Sequence, residues 1–143
     1  KEVKLNEGLT SIGNRAFYYC TELEEINIPS TVKRIGRDAF VSCRSMTNVK
    51  FNGPLLYLGP GAFSSCSSLE EIVLPNGLEE IQNNTFLDCG KLKKVFIPKS
   101  VQSVSATAFG RTSRQIEVTA PEHLRHNLQA KMWYGLRVKF YPG

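Results

Sequence analysis

The chain has 143 residues, 18 Lys and Arg against 13 Asp and Glu for a formal net charge of +5, and 41% apolar residues. That length fits a single domain, the composition is too apolar for a disordered tail, and there is no run of about 18 apolar residues to cross a membrane. No charged-then-apolar leader opens the chain and Lys1 is not an initiator Met, so it is expected to be a soluble mature segment or a fragment of a longer protein.

In chain order, Val3 and Leu5 stand two apart as in a half-buried strand, followed by Leu9, Ile12 and then Ala16-Phe17-x-x-Cys20. Glu25-Ile26-Asn27-Ile28 alternates polar and apolar and stops at Pro29, which has no N–H to give to a ladder. Val32, Ile35 and Gly36 come next, then Ala39-Phe40-Val41-Ser42-Cys43. The same series returns around Val49 and Phe51, around Ile72 and Leu74 before Pro75, around Val95 and Ile97 before Pro98, and at Val118 before Pro121. Each Ala-Phe-x-x-Cys segment is too short for a free-standing helix and predicts a single helical or 3-10 turn. Beyond Pro121, which suits the first turn of a helix with Glu122 beside it, Leu124, Leu128 and Met132 form one apolar stripe. Leu136 to Phe140 alternates again. A helix, a final strand and Trp133 as a plug are expected to form a C-terminal cap over residues 121–143, after repeats over residues 1–120.

The series has a fixed period of 23, the mark of a solenoid. Phe17, Phe40, Phe63, Phe86 and Phe109 form one column, and Cys20, Cys43, Cys66 and Cys89 another that ends at Thr112. Ile26, Val49, Ile72, Val95 and Val118 align, as do Leu9, Val32, Leu55, Leu78, Val101 and Leu124. One coil cannot bury its apolar face, but stacked coils can, at the strand spacing of about 4.8 Å. The first coil, with nothing before Val3, is expected to be truncated and to need a cap or further repeats ahead of it.

The pattern LEEINIPSTVKRIGRDAFVSC resembles the 23-residue, treponemal type of BspA-like leucine-rich repeat, from about Val3 to about Pro121. Departures are local: Asn52-Gly53-Pro54 replaces Pro-x-x, Pro60 precedes Gly61, and Phe109-Gly110-Arg111-Thr112 lacks the cysteine. The resemblance implies an α/β repeat fold: a right-handed leucine-rich-repeat solenoid with a parallel β-sheet on its concave face, short helical or 3-10 turns elsewhere, and the helix-plus-strand cap. It also implies an extracellular or bacterial cell-surface location and adhesion to a host or neighbouring cell.

A search for chemistry returns little. The four cysteines lie in one column with parallel side chains, which predicts buried thiols, with one or two bridges as the alternative and no convergent zinc site. His123 and His126 are three apart on the predicted helix with no third ligand indicated, and are expected to face solvent. Paired carboxylates such as Glu70-Glu71 and Glu79-Glu80 are adjacent, so they point apart on a strand or lie in turns. No catalytic motif occurs, so no enzyme, cofactor or metal is expected. The variable strand positions are more informative. Reading them coil by coil gives Lys4, Asn27, Lys50, Val73, Phe96 and Thr119, beside Glu2, Glu25, Asn48, Glu71, Lys94 and Glu117. Val73 and Phe96, rimmed by Lys50, Glu71, Lys93 and Lys94, form the candidate binding site, since interfaces favour aromatic anchors inside a polar rim. Charge is uneven too: 8 basic against 11 acidic residues up to Gly90, then 10 against 2 from Lys91. That basic third could attract a sulfated glycan or another polyanion, without the features of sequence-specific nucleic-acid reading. A protein or glycan partner is expected, with the isolated domain a monomer. The alternative is a rigid spacer with no ligand of its own.

Overall fold

The computed structural model describes residues 2–113, 115–130 and 136–142, so the expectations for Met132, Trp133, Arg114 and Lys131 lie outside the described residues. The chain is a parallel-strand solenoid. Each coil contributes a long strand, a short strand and a turn segment. The long strands are β1 (Glu2–Val3), β3 (Glu25–Ile28), β5 (Asn48–Phe51), β7 (Glu71–Val73), β9 (Lys94–Phe96), β11 (Glu117–Pro121) and β12 (Arg137–Tyr141). The short strands are β2 (Ser11–Ile12), β4 (Arg34–Ile35), β6 (Tyr57–Leu58), β8 (Glu80–Ile81) and β10 (Ser103–Val104). The register is the sequence period made spatial: Ile26 sits beside Val49, and Ile72 beside Val95. The final step is different, because β12 returns only 20 residues after β11 and pairs Glu117 with Arg137. Between them come a 3-10 turn at Glu122–Leu124 and a short helix, Arg125–Ala130, with Leu124 and Leu128 buried. Pro121 closes β11 and caps the 3-10 turn with extended backbone, so the helical segment starts one residue later than its proline suggests.

The apolar columns fill the interior. Phe40, Phe63 and Phe86 are fully buried, and the five column phenylalanines stack nearly parallel from Phe17 to Phe109. The cysteines beside them are free thiols; Cys20 is half-buried and the other three are buried. Each buried thiol donates to the carbonyl of the phenylalanine one coil earlier: Cys43 to Phe17, Cys66 to Phe40 and Cys89 to Phe63, at 3.1 to 3.2 Å. A small side chain with a weak donor fits that slot. Thr112, which ends the column, turns its hydroxyl to Phe109 of its own coil at 3.0 Å.

The turn segments form single turns, but not a continuous helix. Backbone with positive φ recurs at Arg15, Asp38, Gly61 and Asn84, and again at Tyr19, Ser42, Ser65, Asp88 and Arg111. A left-handed residue every fourth position breaks the helical run and sends alternate N–H groups toward the next coil. Phe17, Phe40, Phe63 and Phe86 thus donate to the carbonyls of residues 39, 62, 85 and 108 at 2.8 to 3.0 Å. A non-glycine residue in this conformation costs about 1–2 kcal/mol, and the bonds between coils hold it there.

Among the described residues the stack has one seam. On both strand ribbons the hydrogen-bonded ladder is interrupted between the third and fourth coils, separating β5 from β7 and β6 from β8. The step from Phe63 to Phe86 is also the widest of the ring spacings, 6.0 Å against 5.1 to 5.5 Å elsewhere. Two local features accompany it. Asn52-Gly53-Pro54 stands at the end of β5, and Gln82 replaces the glycine found at positions 36 and 59. The side-chain amide of Gln82 bridges the opening by donating to the Leu58 carbonyl at 3.0 Å. The turn side stays closed, with Gly61, Phe63 and Ser65 bonded to residues 83, 85 and 87.

Candidate functional site

The long strands present alternate residues outward, because successive side chains on a strand point to opposite faces. β7 and β9 pair Glu71 with Lys94 and Val73 with Phe96, so four of the six candidate residues form a two-by-two block. Val73 is 66% exposed, a large value for a branched apolar side chain. Lys50 belongs to the same row on β5, across the seam, where a cleft of about 300 Å³ is lined by Asn48, Lys50, Phe51, Glu71, Val73 and Pro75. Lys93 stands apart from this block. It lies one residue ahead of β9 and reaches Glu70 at 3.7 Å.

Phe96 is covered more than its column suggests. The ring of Tyr141, from β12, stacks on it with centroids 5.4 Å apart and planes 11° from parallel. The Tyr141 hydroxyl donates to the Ile97 carbonyl at 2.7 Å, and desolvation pushes its phenol above the ordinary tyrosine range. The surface is therefore an apolar strip of Val73, Phe96 and Tyr141 with Lys50, Glu71 and Lys94 around it. Tyr141 was missed in the sequence because it joins the sheet 45 positions after Phe96, outside the 23-residue register. Alternation in Leu136 to Phe140 was the only available signal.

Several members of the basic third are paired. Arg111 meets Asp88 at 2.8 Å, Lys139 meets Glu117 at 3.4 Å, and Arg125 meets Glu122 at 2.7 Å while its guanidinium lies 4.2 Å from the Phe140 ring centre. The Arg125 partnership holds the Glu122 carboxyl below the usual carboxylate range. These pairs lower the field available to a polyanion. His123 and His126 are exposed, and the His123 ring nitrogen lies 2.7 Å from the Val101 carbonyl. Among the described residues, no three His, Cys, Asp or Glu side chains converge as metal ligands would, and no helix is long and apolar enough to cross a membrane.

The family described as BspA type leucine rich repeat region matches residues 1–116, in 6 copies. A leucine rich cell surface protein from Faecalibacterium prausnitzii is similar in structure, with a TM-score of 0.81 and 27% identity over 91% of this chain and 34% of that one. A leucine-rich repeat protein from Bacteroides ovatus has a TM-score of 0.75 and 27% identity over 99% of this chain and 42% of that one. The pneumococcal vaccine antigen PcpA shares the fold, at a TM-score of 0.69 and 12% identity, over 99% of this chain and 42% of that one. The chain thus spans between a third and a half of the length of these structures. No curated protein matches it.

Proposed function

This chain belongs to the BspA-type leucine-rich repeat family, and from that premise we propose that it is a binding module displayed outside a bacterial cell, taking a protein or glycan of a host or neighbouring cell on its concave sheet. The observation that carries this reading is the exposed Val73 beside the Phe96–Tyr141 stack, inside the rim of Lys50, Glu71 and Lys94. Rigid aromatic and aliphatic groups held on a sheet lose little entropy on contact, and a charged rim supplies orientation. The description of the Faecalibacterium relative as a cell surface protein supports display outside the cell.

The test is binding to immobilised matrix proteins and sulfated glycans, with a Phe96→Ala, Lys94→Ala double variant alongside. A ligand seated on the strip is expected to lose at least about tenfold in affinity in the variant, as hot-spot truncation does. A panel silent for both proteins would favour the spacer. A signal that survives the double variant but fades steeply with salt would move the contact to the basic end.

A further inference from the structure

The short-strand ribbon carries an arrangement that the concave-face reading does not use. Along three successive coils, β4, β6 and β8 place Arg34, Tyr57 and Glu80 in one outward column, and the residues just ahead of them, Lys33, Leu56 and Glu79, form a second. The sequence of chemistry is cationic, apolar, anionic, with coils about 4.8 Å apart. Leu56 is 63% exposed, and the Arg34 guanidinium lies over the Tyr57 ring, 4.1 Å from its centre. Among the described residues none of Lys33, Arg34, Glu79 and Glu80 is in an ion pair; the Lys33 ammonium donates to the Ser30 carbonyl at 3.2 Å. The seam opens here into a groove of about 500 Å³ lined by Leu56, Tyr57, Glu79, Glu80 and Gln82.

This pattern is its own complement under a two-fold rotation. We propose that two copies of the chain meet through this ribbon with their solenoid axes antiparallel, about a two-fold axis running along β6. The rotation reverses the order of coils and keeps the strand direction. Lys33 and Arg34 of one copy then face Glu79 and Glu80 of the other, twice over, and the Leu56 and Tyr57 side chains meet at the axis. The groove between the third and fourth coils receives the cationic side chains of the opposite copy. Such an interface is isologous, as most homodimer interfaces are. Three coils offer a patch at the small end of specific interfaces, so the dimer is weak and driven by charge. It replaces the monomer expected from the sequence.

Sedimentation equilibrium over about a hundredfold range of concentration tests it, since association follows mass action. The chain is expected to show a monomer–dimer equilibrium whose dissociation constant rises at least tenfold between about 0.1 M and about 1 M salt. Lys33→Glu with Arg34→Glu puts acid against acid at both contacts, and Glu79→Lys with Glu80→Lys puts base against base. Each double variant is expected to be monomeric, and an equimolar mixture of the two is expected to regain the dimer, because every contact in the mixed pair is again of opposite sign. All four side chains are exposed, so unchanged melting curves will show that the variants fold. A native chain that stays monomeric throughout, a dimer indifferent to either reversal, or a mixture that fails to associate would overturn the proposal. None of these outcomes depends on whether the concave sheet binds a ligand.

Discussion

Phe63→Ala probes the interior at its middle. The ring is fully buried and stacks on Phe40 at 5.3 Å and on Phe86 at 6.0 Å, with interplanar angles of 5° and 6°. Truncating a buried phenylalanine typically costs about 3–5 kcal/mol. Two parallel, offset ring partners, each worth about 0.5–1.5 kcal/mol beyond buried area, place Phe63 toward the upper end of that range. Phe17 is the control. It is half-buried, in the first coil, with one ring partner at 5.1 Å, so Phe17→Ala is expected to cost about 1–2 kcal/mol. In urea, with a slope of about 2 kcal/mol per molar, the midpoint would fall by about 2 M for Phe63→Ala and by less than about 1 M for Phe17→Ala. Far-ultraviolet circular dichroism read against urea measures both. Equal shifts, or a larger one for Phe17→Ala, would refute the idea that a coil gains its stability from neighbours on both sides.

Burial lifts the Cys43 thiol to about 11 and the Cys89 thiol to about 12, and pushes Cys66 up as well, against about 8.5 in an unfolded chain. The stability held by the protonated thiols is therefore complete below about pH 8.5 and lost progressively as pH rises toward 11 to 12. Cys89→Ala should flatten that decline between about pH 9 and 11 in denaturant titrations, and iodoacetamide should label half-buried Cys20 first in the folded protein. A Cβ on Gly59 would stand 2.6 Å from backbone atoms of Gly36 and Arg37, whereas one on Gly90 would meet nothing within 4 Å. Gly59→Ala is expected to cost about 1–3 kcal/mol and Gly90→Ala under about 0.5 kcal/mol in the same urea assay. Tyr141→Phe removes the bond to the Ile97 carbonyl but keeps the ring on Phe96, so it should cost about 1 kcal/mol in the same urea assay.

Much of the candidate site was legible before the structure, because strand residues at a fixed period must share a column. Val73 beside Phe96 and Glu71 beside Lys94 follow from counting to 23. Lys93 did not join them: it precedes the strand, where alternation no longer applies, and Glu70 holds it. The face carrying Leu56 and Tyr57 was overlooked although its columns were equally countable. Those short strands are two residues long, too brief to show alternation, so nothing marked their neighbours as outward.

By itself the sequence determined the solenoid, its register and its interior, since a repeat that cannot bury its own apolar face has one stable way to do so, which is to stack. It also determined which side chains line up, because each column is set by the same backbone position in every coil. Only the tertiary structure decided where the repetition fails. The seam at β5 and β7 arises where particular residues, Asn52-Gly53-Pro54 and Gln82, depart from a pattern that is read by averaging over coils. The left-handed turns at Arg15 and Tyr19 are of the same kind: neither residue favours that conformation by itself, and bonds between coils hold them in place. Tyr141 reaches Phe96 because β12 enters the sheet after 20 residues instead of 23, a contact between distant segments that no single coil encodes.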